Sequence, residues 1–186
     1  LPWQAFCEAI SRTTTSLLDA GHLLQKNALP PVLVVLRSTL TAAVVYLPLL
    51  VLLALLYTPL HGWRLALLAL PVLVVLQFVL AYLLGHILAI LAAALRDTVQ
   101  VVGFLLSVGI FLSPVLFPAS MFPDDWRWVL YANPMTAWVQ GYQAVLLQGQ
   151  WPDAAAWLGM AAWLLVAALV LRPVVNRSRD ELVDWL

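Results

Sequence analysis

Residues 32–57 read VLVVLRSTLTAAVVYLPLLVLLALLY, a long apolar run interrupted by one charged side chain, that of Arg37. A helix that rises ~1.5 Å per residue needs about 20 apolar residues to cross a hydrocarbon core of ~30 Å. Three further runs of this kind occupy residues 65–92, 99–118 and 154–171. Continuous apolar runs favour helices over the alternating strands of a membrane barrel. The sequence therefore predicts an all-α integral membrane protein, a polytopic helix bundle in one domain over residues 1–186.

The composition agrees with this prediction. Hydrophobic residues make up 64% of the chain and charged residues only 10%, where a soluble domain carries roughly 25% charged residues. The single cysteine, Cys7, allows no internal disulfide, and the three histidines fall in different segments, so we expect no metal site. The chain starts at Leu1, and we expect it to be N-terminally trimmed.

Residues 1–18 are a weaker, fifth candidate for a membrane span. Glu8, Arg12 and the polar run Thr13–Ser16 would each be costly against lipid, at ~2.5 kcal/mol or more for a charge at the helix centre. The segment can cross the membrane only if these groups face protein or water. Because Glu8 and Arg12 are four residues apart, two hypotheses stay open: a structural ion pair or a role in a transport path.

Basic residues predict the orientation of the bundle, since cytoplasmic loops carry an excess of Lys and Arg. With the 19–31 loop inside, seven basic residues lie on or near the inner side and two lie outside. The inner set is Arg12, Lys26, Arg37, Arg96, Arg172, Arg177 and Arg179, and the outer set is Arg64 and Arg127. We therefore expect a cytoplasmic C-terminal tail over 172–186 and an external segment over 119–153.

The 119–153 segment is too long for a turn and too apolar for a free loop. It predicts a short helix over Trp126–Tyr131 and a second helix over 134–148, with Asn133 as a cap and Pro134 in the first turn. Six residues of the second helix recur at three- and four-residue spacing: Met135, Trp138, Val139, Tyr142, Val145 and Leu146. This pattern predicts a re-entrant or interfacial helix in the outer leaflet.

The order of several short motifs resembles the membrane subunit of type 2 ABC exporters, in particular the permeases that export O-antigen, capsule or teichoic acid polymers. The motifs are LPWQAF at 1–6, LQKNALP at 24–30, Arg96-Asp97, SPVLFP at 113–118 and Asn133-Pro134-Met135. Leu29 stands where the family usually has an aromatic residue. The family has six transmembrane helices, of which the first is absent here, so that about five are expected.

The resemblance implies a homodimer above two ABC ATPase subunits in a bacterial inner membrane, moving a lipid-linked polysaccharide outward, with no nucleic acid involved. It implies that ATP and Mg bind to the ATPase and that this chain holds no cofactor. No phosphate-binding loop of the Walker type occurs in the sequence, so the chain itself is expected not to be an enzyme.

The resemblance also suggests three groups of functional residues. A transport path is expected at Trp3, Phe6, Glu8 and Arg12. ATPase coupling is expected in the Asp19–Asn27 loop, through Asp19, His22, Leu23, Leu24 and Lys26. An external gate is expected at Trp126, Asn133, Pro134, Trp138 and Tyr142, for which an interfacial aromatic belt is the alternative.

Three other functions stay open from the sequence. The first is a type 2 ABC efflux permease for drugs or small amphiphiles, which shares the same helix order. The second is a membrane-embedded transferase for lipid-linked sugars, which would need a carboxylate beside a basic diphosphate site. The external carboxylates Asp124, Asp125 and Asp153 have only Arg127 nearby, which disfavours a transferase. The third is a scaffold or sensor subunit, which would leave Glu8 and Arg12 unexplained.

Overall fold

The computed structural model describes residues 1–26, 29–61, 65–116, 121–123, 125, 127–178 and 182–185. Within these ranges all regular structure is helical, which confirms the predicted fold class. The helices are α1 (Pro2–Asp19), α2 (Gly21–Lys26), α3 (Pro31–His61), α4 (Ala69–Ala94), α5 (Thr98–Gly109), α6 (Arg127–Ala132), α7 (Thr136–Gln143), α8 (Ala154–Ser178) and α9 (Leu182–Trp185). A 3₁₀ turn over Leu65–Leu68 precedes α4, and a π-helical turn over Ala144–Gln148 follows α7.

Three of the four predicted strong spans are single long helices. In the described part of the chain α3, α4 with its preceding turn, and α8 are long and apolar enough to cross a membrane. The fourth prediction, a span over 99–118, is wrong as a single helix, because α5 ends at Gly109 and the chain continues in turns to residue 116. At 12 residues α5 is about 18 Å long. Proline at 114 explains part of this, since it lacks an N–H and disfavours a helical residue before it.

Helix α4 is the centre of the bundle, with α1, α3, α7 and α8 packed around it. In a membrane the hydrophobic effect contributes little to helix association, because lipid tails are as apolar as the helix surfaces. Close packing of small residues therefore contributes a larger share. Buried small residues recur every fourth position of α4, at Ala81, Gly85, Ala89 and Ala93. Helix α1 offers a matching series, Ala5, Ala9 and Thr13, all buried. The approach is close enough that a Cβ atom at Gly85 would lie 2.0 Å from the Thr13 hydroxyl oxygen.

The chain order gives the bundle two distinct ends. At the α2 end lie α2, the turn over residues 95–97, the last turns of α8, and α9. Lys26, Arg96 and Arg177 belong to this end, which is the side predicted to be cytoplasmic. At the α7 end lie the start of α1, the helices α6 and α7, and the start of α8.

The predicted tail over 172–186 is helical in its described part. Helix α8 continues through Pro173 to Ser178, and α9 then packs against α2 and α4. Leu182 of α9 is buried in a cluster with Leu17 and Leu24. Helix α9 is therefore held against the bundle at the α2 end.

Candidate functional site

Helix α1 carries a polar stripe on its outer surface. Gln4, Ser11, Arg12 and Asp19 are exposed, and Glu8 and Thr15 are partly exposed, so they share one helix face at four-residue intervals. The exposed faces of the long helices are more apolar: α3 presents mainly leucine and valine, with Arg37 and Thr41 among them, and α8 up to Val170 presents alanine, leucine and valine. Helix α1 packs on α3, α4 and α5, and the stripe faces away from these three neighbours.

Glu8 and Arg12 form an ion pair on the polar stripe. The Arg12 Nε donates to Glu8 Oε1 at 2.5 Å. The Arg12 side chain is 48% exposed and the Glu8 side chain is 36% exposed. An exposed pair of this kind stabilises a helix by only about 0.3–0.5 kcal/mol. The two side chains are paired, and both are still exposed enough to contact water or a polar ligand.

The structure separates the two aromatic residues of the predicted transport path from the charged ones. Trp3 is 7% exposed and Phe6 is 4% exposed, and both lie in the main core with their rings 6.1 Å apart. The Trp3 indole packs on Gly109 of α5, where an added Cβ would lie 2.9 Å from it. Trp3 and Phe6 therefore shape the contact between α1 and α5 and do not reach the polar stripe in the single chain.

The polar run Thr13–Ser16 faces protein for the most part. Thr13, Thr14 and Ser16 are buried, and each hydroxyl donates to a carbonyl of the same helix. The Thr13 hydroxyl donates to the Ala9 or Ile10 carbonyl, that of Thr14 to the Ile10 carbonyl, and that of Ser16 to the Thr13 carbonyl. Their hydrogen-bonding needs are met locally, so burial costs little. For these hydroxyl groups the energetic objection to placing the segment in a span is removed without any water, whereas it remains for Glu8 and Arg12 on the polar stripe.

Helix α2 is a six-residue helix that divides the predicted coupling residues between two faces. His22, Leu23 and Lys26 point outward, with 52% of Leu23 exposed. Leu24 points inward and is 7% exposed, in the cluster with Leu17 and Leu182. Asp19 ends α1 on the exposed side, and Asn27 lies outside the described residues. The outward face of α2 is therefore a small mixed surface with one apolar side chain.

The predicted helix over 134–148 forms as α7 and the π-helical turn that follows it, starting two residues later than expected. All six residues of its predicted apolar face are buried, with Met135 and Trp138 completely so. All of them except Val139 belong to the main core, and α7 packs against α4 and α8, so the face meets protein and not the lipid of an outer leaflet. Burial also raises the pKa of the Tyr142 hydroxyl above its usual range, so this group stays protonated. Trp126 lies outside the described residues.

Asn133 joins three elements at the α7 end. Its Nδ2 donates to the carbonyls of Gly109 and Leu112, both at 3.2 Å, and its Oδ1 accepts from the Met135 N–H at 2.9 Å. The prediction that Asn133 caps the helix, with Pro134 in its first turn, is wrong: the N-cap position of α7 is Met135, and the Asn133 side chain instead holds the turn before the helix. It also satisfies carbonyls left free where α5 ends. Pro134 follows it in the same turn, before α7 begins.

Gln143 has a related role that the sequence reasoning missed. Its Nε2 donates to the Pro114 carbonyl at 2.8 Å. Together Asn133 and Gln143 hold the turns over 110–116 against α7. No local pattern signals the Gln143 contact, because its partner lies 29 positions away.

The sequence matches a known family of membrane proteins. Residues 14–147 match the model of the ABC-2 type transporter family. The chain belongs to the ABC-2 type transporter family. A relative, the O-antigen export system permease protein RfbA of Myxococcus xanthus, is 30% identical over 189 aligned residues, which cover 99% of this chain and 72% of RfbA. The resemblance inferred from the short motifs is confirmed.

The ABC-2 permease is therefore a multi-pass membrane subunit of an ABC transporter. The family match covers α2 to α7, including the outward face of α2 and the Asn133 contacts. Among the described residues of the permease, no group of three His, Cys, Asp or Glu side chains lies close enough to hold a metal ion.

Proposed function

We propose that this permease is the transmembrane subunit of an ATP-driven exporter that moves a lipid-linked polysaccharide outward across a bacterial inner membrane. It acts as a homodimer above two cytoplasmic ABC ATPase subunits, which bind ATP and Mg. The name of the Myxococcus xanthus relative, an O-antigen export permease, supports the choice of polysaccharide.

The polar stripe of α1 is the observation that carries the proposal. A charged side chain in the middle of a span costs ~2.5 kcal/mol or more against lipid. On the single chain Arg12 is exposed and Glu8 partly exposed, whereas the exposed face of α3 is mostly leucine and valine, with Arg37 and Thr41 among them. A second copy that places its own stripe opposite would enclose a polar path between two apolar helix walls. The stripe would then meet water or glycan hydroxyls in place of lipid.

The outward face of α2 supports the coupling part of the proposal. Leu23 is a half-exposed apolar residue among His22, Gln25 and Lys26. Leu24 fixes α2 to the bundle through Leu17, at the end of α1. A force on the outward face would thus reach α1, the helix that bears the polar stripe.

A deletion of the gene tests the substrate. In the host, the deletion strain should lose the surface polysaccharide and keep the lipid-linked polymer inside the inner membrane, as measured by immunoblot of intact and lysed cells. The wild-type permease should restore the surface polymer only with an active ATPase partner. Normal surface polymer in the deletion strain, together with increased sensitivity to amphiphilic drugs, would contradict the proposal and favour the efflux permease.

A double variant tests the stripe. Glu8→Leu with Arg12→Leu should lower surface polysaccharide at least about tenfold while the permease still co-purifies with its ATPase, because the path loses its polar lining. Thr41→Leu is the control, since Thr41 is an exposed hydroxyl residue on α3, outside the stripe. Full export by the double variant would show that the ion pair is only structural.

A further inference from the structure

The α7 end contains an open cleft that the proposed transport path does not use. It has a volume of about 370 Å³ and lies between α7, its π-helical turn and the first half of α8. Small-ligand sites in proteins start at roughly 300 Å³. The cleft is therefore large enough for a small ligand or one unit of a longer one.

Local structure brings the walls of the cleft together. Gly149 has a left-handed backbone, with φ of 63°, which turns the chain so that Gln150 and Trp151 return toward α7. Asp153 then starts α8, and its Oδ1 accepts from the Ala156 N–H at 2.8 Å. Trp163 of α8 donates from its indole N–H to the Tyr131 carbonyl at 3.2 Å, which fixes α6 against α8.

The lining is unusually rich in side-chain amides for so apolar a chain. Four glutamines and Asn133 contribute to it, and among the described residues the amides of Gln140 and Gln150 have no hydrogen-bond partner. An amide offers donors and acceptors side by side, which is the combination that neighbouring hydroxyl groups of a sugar require.

Aromatic rings lie beside these amides. Tyr131 is 69% exposed and Trp151 is 53% exposed, and both line the cleft. The face of an aromatic ring is electron-rich and attracts the C–H groups on the face of a sugar ring. The described lining contains no Lys, Arg or His, and Asp153 is its one charged residue. A phosphate or carboxylate ligand is therefore disfavoured, and a neutral ligand with several hydroxyl groups fits.

The cleft is separate from the polar stripe. Helix α8 packs mainly on α4 and α7, whereas α1 packs mainly on α3, α4 and α5. The cleft therefore lies on the side of the central helix α4 that is away from the stripe.

We propose that this cleft binds a neutral sugar unit of the exported polysaccharide at the α7 end of the permease. Gln140 and Gln150 hydrogen-bond the sugar hydroxyls, and the Trp151 ring packs against the sugar face. The inference rests on the proposed export of polysaccharide and adds a second contact with the glycan, outside the path between the two copies.

Binding to the purified permease–ATPase complex in nanodiscs tests the cleft. The probe is a set of neutral fragments of two to four sugars, cut from the surface polysaccharide of the host, and titration calorimetry gives the Kd. The double variant Gln140→Leu with Gln150→Leu should raise the Kd about tenfold or more, equivalent to about 1.4 kcal/mol. Gln100→Leu is the matched control, because Gln100 is an exposed glutamine on α5 that does not line the cleft.

Assembly of the complex is checked by size-exclusion chromatography. If the glutamine variant fails to assemble, Trp151→Ala replaces it, since the Trp151 ring is half exposed and its loss removes little packing. An equal Kd for wild type and variant, or binding of phosphoethanolamine in place of the sugars, would overturn the inference. Restored surface polysaccharide with no fragment binding would refute the cleft alone, whereas normal surface polysaccharide in the gene deletion would refute the proposed export and the cleft with it.

Discussion

Single residues set how closely the helices approach. Gly85 is the clearest case, because the Thr13 hydroxyl oxygen and Cβ would lie 2.0 and 2.6 Å from an added methyl group. The Thr13 Cβ belongs to a stiff side chain on a packed helix, so α1 and α4 would have to separate. Overpacking of this kind typically costs 1–3 kcal/mol.

We therefore expect Gly85→Ala to lower the temperature at which half of the detergent-solubilised permease leaves the monodisperse peak. Gly103→Ala is the control, since no atom lies within 4 Å of an added Cβ at Gly103. Alanine is also the better helix former, so the control should keep or raise stability. Equal behaviour of the two variants would show that α1 and α4 are not in the close contact described.

Asn133 is a second such residue, because its side chain hydrogen-bonds carbonyls that are distant in the chain. Asn133→Asp keeps an acceptor for the Met135 N–H but removes the donor to the Gly109 and Leu112 carbonyls. We expect it to destabilise the solubilised permease nearly as much as Asn133→Leu, by about 1–3 kcal/mol for carbonyls left unpaired. Asn176→Asp, at an exposed site on α8, is the matched control. Wild-type stability of Asn133→Asp would mean that only the turn before α7 matters.

At the scale of elements, α2 has one face packed against the bundle and one exposed face, which we propose contacts the ATPase. Leu23 is 52% exposed and Leu24 is 7% exposed, so the two neighbouring leucines should respond differently to the same change. We expect Leu23→Asp to leave the permease folded but unable to co-purify with its ATPase, because an unpaired charge would be buried in the contact. Leu24→Asp should instead lower the yield and stability of the permease itself.

Co-purification and size-exclusion chromatography distinguish these two effects. Normal co-purification and normal ATPase stimulation with Leu23→Asp would move the search for the contact to α9 or the turn over residues 95–97. Unchanged stability with Leu24→Asp would contradict the packing of α2 against Leu17 and Leu182.

Helix α1 should differ from its neighbour α3 in access to water. In a Cys7→Ala background, a cysteine at Ser11 on the stripe should react with a charged methanethiosulfonate reagent in native membranes, because the thiolate forms only where water is present. A cysteine at Val44, which is 70% exposed on α3, should stay unreactive because it faces lipid. Reaction at Val44 alone would place the polar path beside α3.

For the whole molecule, cysteine labelling tests the predicted orientation of the helix bundle in the membrane. In the same Cys7→Ala background, a cysteine at Asp125 should react with an impermeant maleimide in intact spheroplasts. A cysteine at Asn176 should react only after permeabilisation, because the charge asymmetry predicts that the end of α8 lies inside. Both positions are exposed in the structure, so burial would not explain a negative result. The reverse pattern of labelling would invert the bundle.

Much of the helix content was readable from the sequence, because a membrane helix satisfies its own backbone and needs only a long enough apolar run. The runs over 32–57, 65–92 and 154–171 became α3, α4 and α8. The buried face of α7 was also predictable, since three- and four-residue spacing places Met135, Trp138 and Tyr142 on one side of any helix. The sequence did not predict what this face of α7 contacts. The face packs against protein, whereas lipid was expected.

The sequence alone determined that these segments are helices and which residues share a face. Tertiary structure decided that Thr13 is buried while Glu8 stays partly exposed, and that Trp3 lies in the core and not on the stripe. It also decided that there is a cleft beside Gln140. These outcomes depend on pairs distant in the chain, such as Gln77 donating to the Pro2 carbonyl at 3.0 Å and Asn133 to that of Gly109. Helical periodicity places residues around one axis, but only the contacts between axes decide which face meets protein, lipid or water.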